Sequence, residues 1–244
     1  MRSKVVAVVL IVLGVGATLG GLYGQIFLAE DEGHHDGRTP TFALQPQVGS
    51  DELVVEQTAP GRLAVEVLRA GQAMQFDTLH DRSDHYFVTD AGLTFFSHVA
   101  FAQDGENREL ATPPGEVRVV AQVAPTGGPD FLELGATVDV EGDPLDEQNI
   151  TDDDAWTDGS LTVTRQGFDF VLSAPWNGND IYDGPAFLSL FRADDFAFAH
   201  AHAELVGNDR FSFATALPGL GDYLAALEFE QDGRLVTALF RFTL

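Results

Sequence analysis

Along most of the chain, apolar and polar residues alternate over short runs, and turn-forming residues punctuate the runs. Alternation with a period of two is the pattern of a half-buried strand, because successive side chains leave opposite faces. Leu63-Ala64-Val65-Glu66-Val67-Leu68 ends at Ala70-Gly71, and Leu161-Thr162-Val163-Thr164 ends at Gln166-Gly167. Val117-Arg118-Val119-Val120-Ala121-Gln122-Val123 ends at Pro125-Thr126-Gly127-Gly128. The run Leu235 to Phe242 follows Gln231-Asp232-Gly233-Arg234, a hairpin signal. From Pro40 onward no long stretch carries the helical period. The expectation is an all-β fold of sandwich type.

One segment departs from this pattern. From Val5 to Ala29 the chain carries no charge and is mostly apolar. A membrane-spanning helix needs roughly 20 such residues. The segment is therefore expected to be a transmembrane signal anchor. The alternative is a cleaved secretory signal, whose apolar region is usually about 7–15 residues long. Arg2 and Lys4 precede the span, and Glu30, Asp31 and Glu32 follow it. Cations stay inside, so the N-terminus is expected in the cytoplasm and the bulk of the chain outside the cell membrane.

The exported part repeats itself. With His98 aligned on His200, Phe96 falls on Phe198. Gly115-Glu116-Val117 then matches Gly221-Asp222-Tyr223, and Val123 matches Phe229. Two closing strands follow, Gly135 to Val140 and Thr237 to Phe242. The expected organisation is a membrane segment at 1–29, an acidic spacer at 30–39, one β-sandwich unit at 40–141, an acidic linker at 142–158 and a second unit at 159–244.

Charge and composition remove whole classes of function. Lys+Arg number 13 and Asp+Glu 38, a formal net charge of −25, and there is no cysteine. So few cations cannot replace the counterions of a nucleic-acid backbone, so no nucleic acid is expected as a partner. Without cysteine there are no disulfides, thiolate metal sites or thiol catalysis. Lys4 is the sole lysine. An acidic, lysine-poor surface suits high salt, and an arginine bias also follows from a GC-rich genome. Residues 1–29 hold no acid, so the whole negative charge lies from Glu30 onward.

Candidate chemistry rests on histidine. In Phe196-Ala197-Phe198-Ala199-His200-Ala201-His202 the alternation is strict, so Phe196, Phe198, His200 and His202 are expected on one strand face. Residues two apart on a strand lie roughly 6.5–7 Å apart, within reach of one ion. In the first unit His80 is expected at the end of a loop, and His85 and His98 come near each other if strands starting at His85 and ending at His98 form a hairpin. Neutral imidazole is a common metal ligand, with Asp77, Asp81 or Asp84 as supporting carboxylates. Three histidines suit Zn²⁺ or Cu²⁺. The competing reading is that these imidazoles pack the sandwich rims, bonded to backbone and carboxylates. Asp152-Asp153-Asp154 lacks the alternating ligands, glycine and distal glutamate of a calcium loop.

The block Phe76-Asp77-Thr78-Leu79-His80 through His85, with Leu93-Thr94-Phe95-Phe96-Ser97-His98 and Pro114-Gly115 after it, resembles a poorly characterised family. Its members are exported, often membrane-anchored proteins of actinobacteria and related bacteria, with duplicated His-containing domains. Phe198, His200, His202, Gly221, Tyr223, Phe229 and Gly233 resemble the family's second copy. The resemblance implies immunoglobulin-like sandwiches similar to periplasmic copper-resistance proteins, and a role in heavy-metal handling. Three positions depart from the family pattern. Ala100 stands for a second histidine, Ala203 for a proline, and Phe187 occupies the place of His85. With Met1 and Met74 the only methionines, a Met-rich copper(I) site is not expected.

No phosphate-binding glycine loop or nucleophile elbow stands in a strand–turn–helix context, and no catalysis is expected. The combined expectation is a membrane-anchored extracytoplasmic binding or accessory protein. It would bind Cu²⁺ or Zn²⁺ through His80, His85, His98, His200 and His202. The alternative is a non-catalytic structural or protein-interaction module at the cell surface that binds no metal.

Overall fold

In the computed structural model the described residues are 44–77, 84–101, 108–128, 131–215 and 219–244. The membrane segment expected at Val5–Ala29, the spacer with His34 and His35, and His80 lie outside them. Among the described residues every regular element is a strand, and no helix is long and apolar enough to cross a membrane.

The first nine strands run in order β1 (Gln47–Val48), β2 (Asp51–Ala59), β3 (Arg62–Arg69), β4 (Gln72–Ala73), β5 (Asp84–Asp90), β6 (Phe96–Phe101), β7 (Glu109–Ala111), β8 (Gly115–Val123) and β9 (Leu132–Val140). They make two sheets. One has the order β1-β2-β3-β4 with β7 also on β3, and the other has the order β6-β5-β8-β9. Leu53, Leu63, Val65 and Val67 of the first sheet share one core with Tyr86, Val88, Val117, Val119, Ala121 and Leu134 of the second. The period-two pattern read in β3 and β8 is the signature of this packing, with alternate residues turned into the core.

Ten more strands follow: β10 (Ile150–Thr151), β11 (Ala155–Asp158), β12 (Leu161–Gln166), β13 (Asp169–Leu172), β14 (Ala186–Arg192), β15 (Phe198–His202), β16 (Glu204–Val206), β17 (Arg210–Ser212), β18 (Asp222–Gln231) and β19 (Arg234–Thr243). They form sheets β10-β19-β18-β14-β15 and β11-β12-β13-β17-β16 around a second core. Trp156, Val163, Phe170, Phe211, Leu227 and Phe240 lie in that core.

The segment expected as an acidic linker, 142–158, is linker only in its first part. Ile150–Thr151 pairs in parallel with β19, and Ala155–Asp158 pairs with β12. Its few apolar residues account for this. Trp156 is buried, and its Nε1 donates to the carbonyl of Asn149. One large apolar side chain outweighs the solvated aspartates around it.

Asp36–Leu244 forms one compact unit, and a third apolar cluster explains why. Leu44, Phe87, Leu93, Phe96 and Val120 meet Phe187, Phe191, Phe196, Phe198, Leu224, Ala226 and Leu239. The outer faces of sheets β6-β5-β8-β9 and β10-β19-β18-β14-β15 are thus pressed together. This is why β5 and β14 are buried on both faces, with six consecutive buried residues each. Fully burying one such side chain is worth about 1.5–3 kcal/mol. Gly135 makes room for the N-terminal strap: a Cβ there would stand 2.5 Å from Leu44 Cβ, and its N–H donates to the Gln45 carbonyl at 3.1 Å.

Candidate functional site

The joint between the two sandwiches carries the histidines. Strand register sets their places. Phe87 pairs with His98 on one side and Val120 on the other. Ser189 pairs with His200 and Ala226 in the same way. The row His98–Phe87–Val120–Gly135 therefore corresponds to His200–Ser189–Ala226–Leu239. One row on, Ala100–His85–Gln122–Glu133 corresponds to His202–Phe187–Glu228–Thr237. The alignment of His98 with His200 and of Val123 with Phe229 matches this lattice. The two closing-strand runs are offset from each other by two residues. Val117 pairs with Val138 and Tyr223 with Phe242, so Phe242 corresponds to Val138, two residues before Val140. The shift preserves the face of every side chain, because two residues is one full period of a strand.

His85 and His98 do converge, but onto each other. His85 Nδ1 lies 2.9 Å from His98 Nε2. His98 Nδ1 lies 2.7 Å from Oε2 of Glu228, a residue of the other sandwich. The His98 side chain is 0% exposed and that of Glu228 4%. An ionised carboxylate only accepts, so with Glu228 ionised His98 Nδ1 is the donor of that bond. In neutral His98 the other nitrogen then accepts from His85 Nδ1–H. The result is a chain running from His85 through His98 to Glu228.

Aromatic rings hold this chain in place. His98 stacks on Phe87 with centroids 4.3 Å apart. Phe87 and Phe187 lie parallel at 6.0 Å and 3°. His200 stacks on Phe187 at 4.8 Å. Tyr182 covers the histidine pair, 5.1 Å from His85 and 4.9 Å from His98. Tyr182 and Asp183 both have positive φ, 49° and 68°. That conformation is costly for non-glycine residues and is held here by the loop's contacts. Trp176 Nε1 donates to the Glu230 carbonyl at 2.8 Å, and Asn179 Nδ2 bonds Glu230 Oε1 at 2.6 Å.

His200 faces the first sandwich. Its Nδ1 is hydrogen-bonded to Nε2 of Gln122, which also donates to the Glu133 carboxylate. The amide N–H makes His200 Nδ1 an acceptor, the opposite tautomer from His98. His202 lies beside Phe187 with centroids 5.1 Å apart, and 5.7 Å from the His200 ring. Both of the second-unit histidines are thus in the joint with His85 and His98. Among the described residues no group of three or more His, Asp or Glu is arranged to hold a metal. Of the supporting carboxylates, Asp84 pairs with Arg108 instead, whose Nη2 lies 3.2 Å from Asp84 Oδ1. Asp77 bonds Thr126 Oγ1 at 2.9 Å.

Sequence reading missed Glu228, Gln122 and Tyr182. Glu228 and Gln122 had a usable signal: each is a polar residue inside a run of apolar strand residues, Leu224-Ala225-Ala226-Leu227-Glu228-Phe229 and Val119-Val120-Ala121-Gln122-Val123. A buried polar group in such a run needs a partner.

Charged groups at the edge of the joint are paired. Arg192 binds Asp195 through Nε at 2.8 Å, and its carbonyl accepts from Arg118 Nη1 at 3.1 Å. The Arg192 guanidinium holds the Asp195 carboxyl below the usual carboxylate range, against a smaller opposing effect of burial. A cleft of about 490 Å³ opens nearby, lined by Ala91, Gly92, Leu93, Asp152, Asp222 and Arg241 among others. Its arginine is already engaged, with Nε 2.7 Å and Nη2 3.0 Å from the Asp152 carboxylate.

No protein-family model matches the chain, and no curated protein is similar to it in sequence. A solved structure of Drosophila OTK, extracellular domains 3-5, is similar over 82% of this chain and 67% of that one. The identity is 10% and the TM-score 0.25, too low to establish a shared fold.

Proposed function

We propose that this chain is a membrane-anchored, extracytoplasmic, non-catalytic interaction module, built from two immunoglobulin-like sandwiches. Its histidines serve as the polar core of the joint that makes the two sandwiches one rigid body. The observation that carries this reading is His98. Both of its ring nitrogens are engaged, at 2.9 Å to His85 and 2.7 Å to Glu228, and its side chain is fully buried. A lone pair held in a buried hydrogen bond is not available to a metal until that bond opens. Binding of Cu²⁺ or Zn²⁺ through His80, His85 and His98, with His200 and His202, would require the joint to rearrange.

Titration of the untagged protein with Cu²⁺ and Zn²⁺ by calorimetry tests this. High salt is needed, because an anionic surface gathers divalent cations loosely. The expected result is no saturable heat that differs from a folded His80→Ala/His85→Ala/His98→Ala variant. A saturable site lost in that variant would establish the metal reading instead. Anchoring is tested by a reporter fused after Leu244, which is expected to be active only outside the cytoplasm.

A further inference from the structure

The polar contacts across the joint come in a reciprocal pair. His98 of the first sandwich bonds Glu228 of the second. His200 of the second bonds Gln122 of the first. By strand register His98 corresponds to His200, and Gln122 to Glu228. Residue i thus meets j, and the copy of j meets the copy of i. That is the defining property of an isologous, two-fold contact between identical subunits. The sheets that meet are also the corresponding ones, β6-β5-β8-β9 against β18, β14 and β15. Nothing in a joint between unrelated faces would produce this exchange.

We propose that the joint is a self-recognising surface, the contact of a two-fold dimer now made within one chain. Its further partner is a second copy of this chain, which completes the joint by exchanging sandwiches. Covalent connection is the only feature that distinguishes the internal joint from an exchanged one. The connection is short. Nine residues, 141–149, separate β9 from β10, a fully extended reach of roughly 30 Å. Both ends are fastened to the first sandwich. The Glu141 carbonyl accepts from Gln57 Nε2 at 2.6 Å and from the Gly61 N–H at 2.8 Å. The Gln148 side chain bonds both the N–H and the carbonyl of Phe96, at 2.7 and 2.8 Å. The intervening Asp143–Glu147 is exposed. Loop length between these fastenings therefore decides whether the joint closes within a chain or between chains.

Two variants of the full-length chain in mild detergent test this. In the first, Asp143–Glu147 is deleted, and light scattering measures the protein mass. The expected mass is twice that of one chain, returning to one when His98→Ala and His200→Ala are added; a monomer, or a dimer indifferent to those substitutions, overturns the proposal. In the second, a protease site replaces Asp143–Glu147. This arm decides alone if the deletion variant does not fold. After cleavage the two pieces are expected to elute together. Light and isotopically heavy cleaved proteins, mixed through a reversible denaturation step, are expected to yield mixed pairs. Pieces that separate on cleavage, or that never mix, overturn it.

Discussion

Replacing His98 with alanine tests the joint most directly. The imidazole is fully buried, joins His85 to Glu228, and stacks on Phe87 at 4.3 Å. Its loss leaves the Glu228 carboxylate, 4% exposed, without its cross-sandwich partner. Leaving a buried polar group without its hydrogen-bond partner costs about 1–3 kcal/mol, and more for a charged group. It also empties the space between Phe87, Phe187 and Tyr182, so the cost falls in the upper part of that range. The paired replacement His98→Leu/Glu228→Leu removes both polar partners and keeps most of the volume. Such exchanges are often neutral or stabilising. His85 Nδ1 still loses its bond to His98, at about 1–3 kcal/mol. The double variant is therefore expected to be more stable than the single one. Equilibrium urea unfolding, followed by far-UV circular dichroism and by tryptophan emission, measures both. A loss below about 1 kcal/mol for His98→Ala, or a double variant as damaged as the single, would refute the reasoning.

The loop that carries Tyr182 makes a second prediction. A Cβ on Gly178 would collide with the Glu230 carbonyl, which is backbone and cannot yield. Gly178→Ala is expected to cost about 1–3 kcal/mol as an overpacking change, with a shift in Trp176 emission as its bond to the Glu230 carbonyl is displaced. Unchanged stability and emission would show that the loop does not lean on Glu230. Acid sensitivity is the third. Hydrogen bonds from arginine hold Asp195, Asp51 and Asp152 below the usual carboxylate range, through Arg192, Arg69 and Arg241 respectively. A carboxylate with a lowered folded-state pKa stabilises the fold fully above its unfolded value, about 3.9. That contribution is lost as pH falls through the lowered value. Urea midpoints measured from pH 6 to pH 2 are expected to drop below about pH 4, and less steeply in Asp195→Asn.

The strands could be read from the sequence because each buries one face, and burial of one face writes a period of two into residues such as Leu63, Val65 and Val67. The same local signal placed His98 opposite β5 and aligned it with His200. It failed where local pattern and three-dimensional partner part company. β11 was hidden in an acidic run because a single tryptophan supplies its burial. The register of the closing strands was not legible, since a shift of one full period leaves the apolar pattern unchanged.

The joint itself lay beyond such reading for a plainer reason. The partner of His98 is 130 positions away, on a different sandwich, and strand periodicity says nothing about which outer face meets which. Yet the sequence contained the demand, if not the answer. Glu228 stands in a strand buried along nearly its whole length, and Gln122 at the corresponding place in β8. A carboxylate that cannot reach water must find a donor, and in a duplicated chain the matching donor sits at the matching place in the other copy. His98 and His200 were read as candidate ligands because strand geometry places each near a second histidine, His85 and His202. Their placement has another sufficient cause: each answers the buried polar residue that the repeat places in the opposite sandwich. Metal binding and joint formation thus make opposite predictions for one substitution. A ligand set tolerates loss of Glu228, whereas the joint does not.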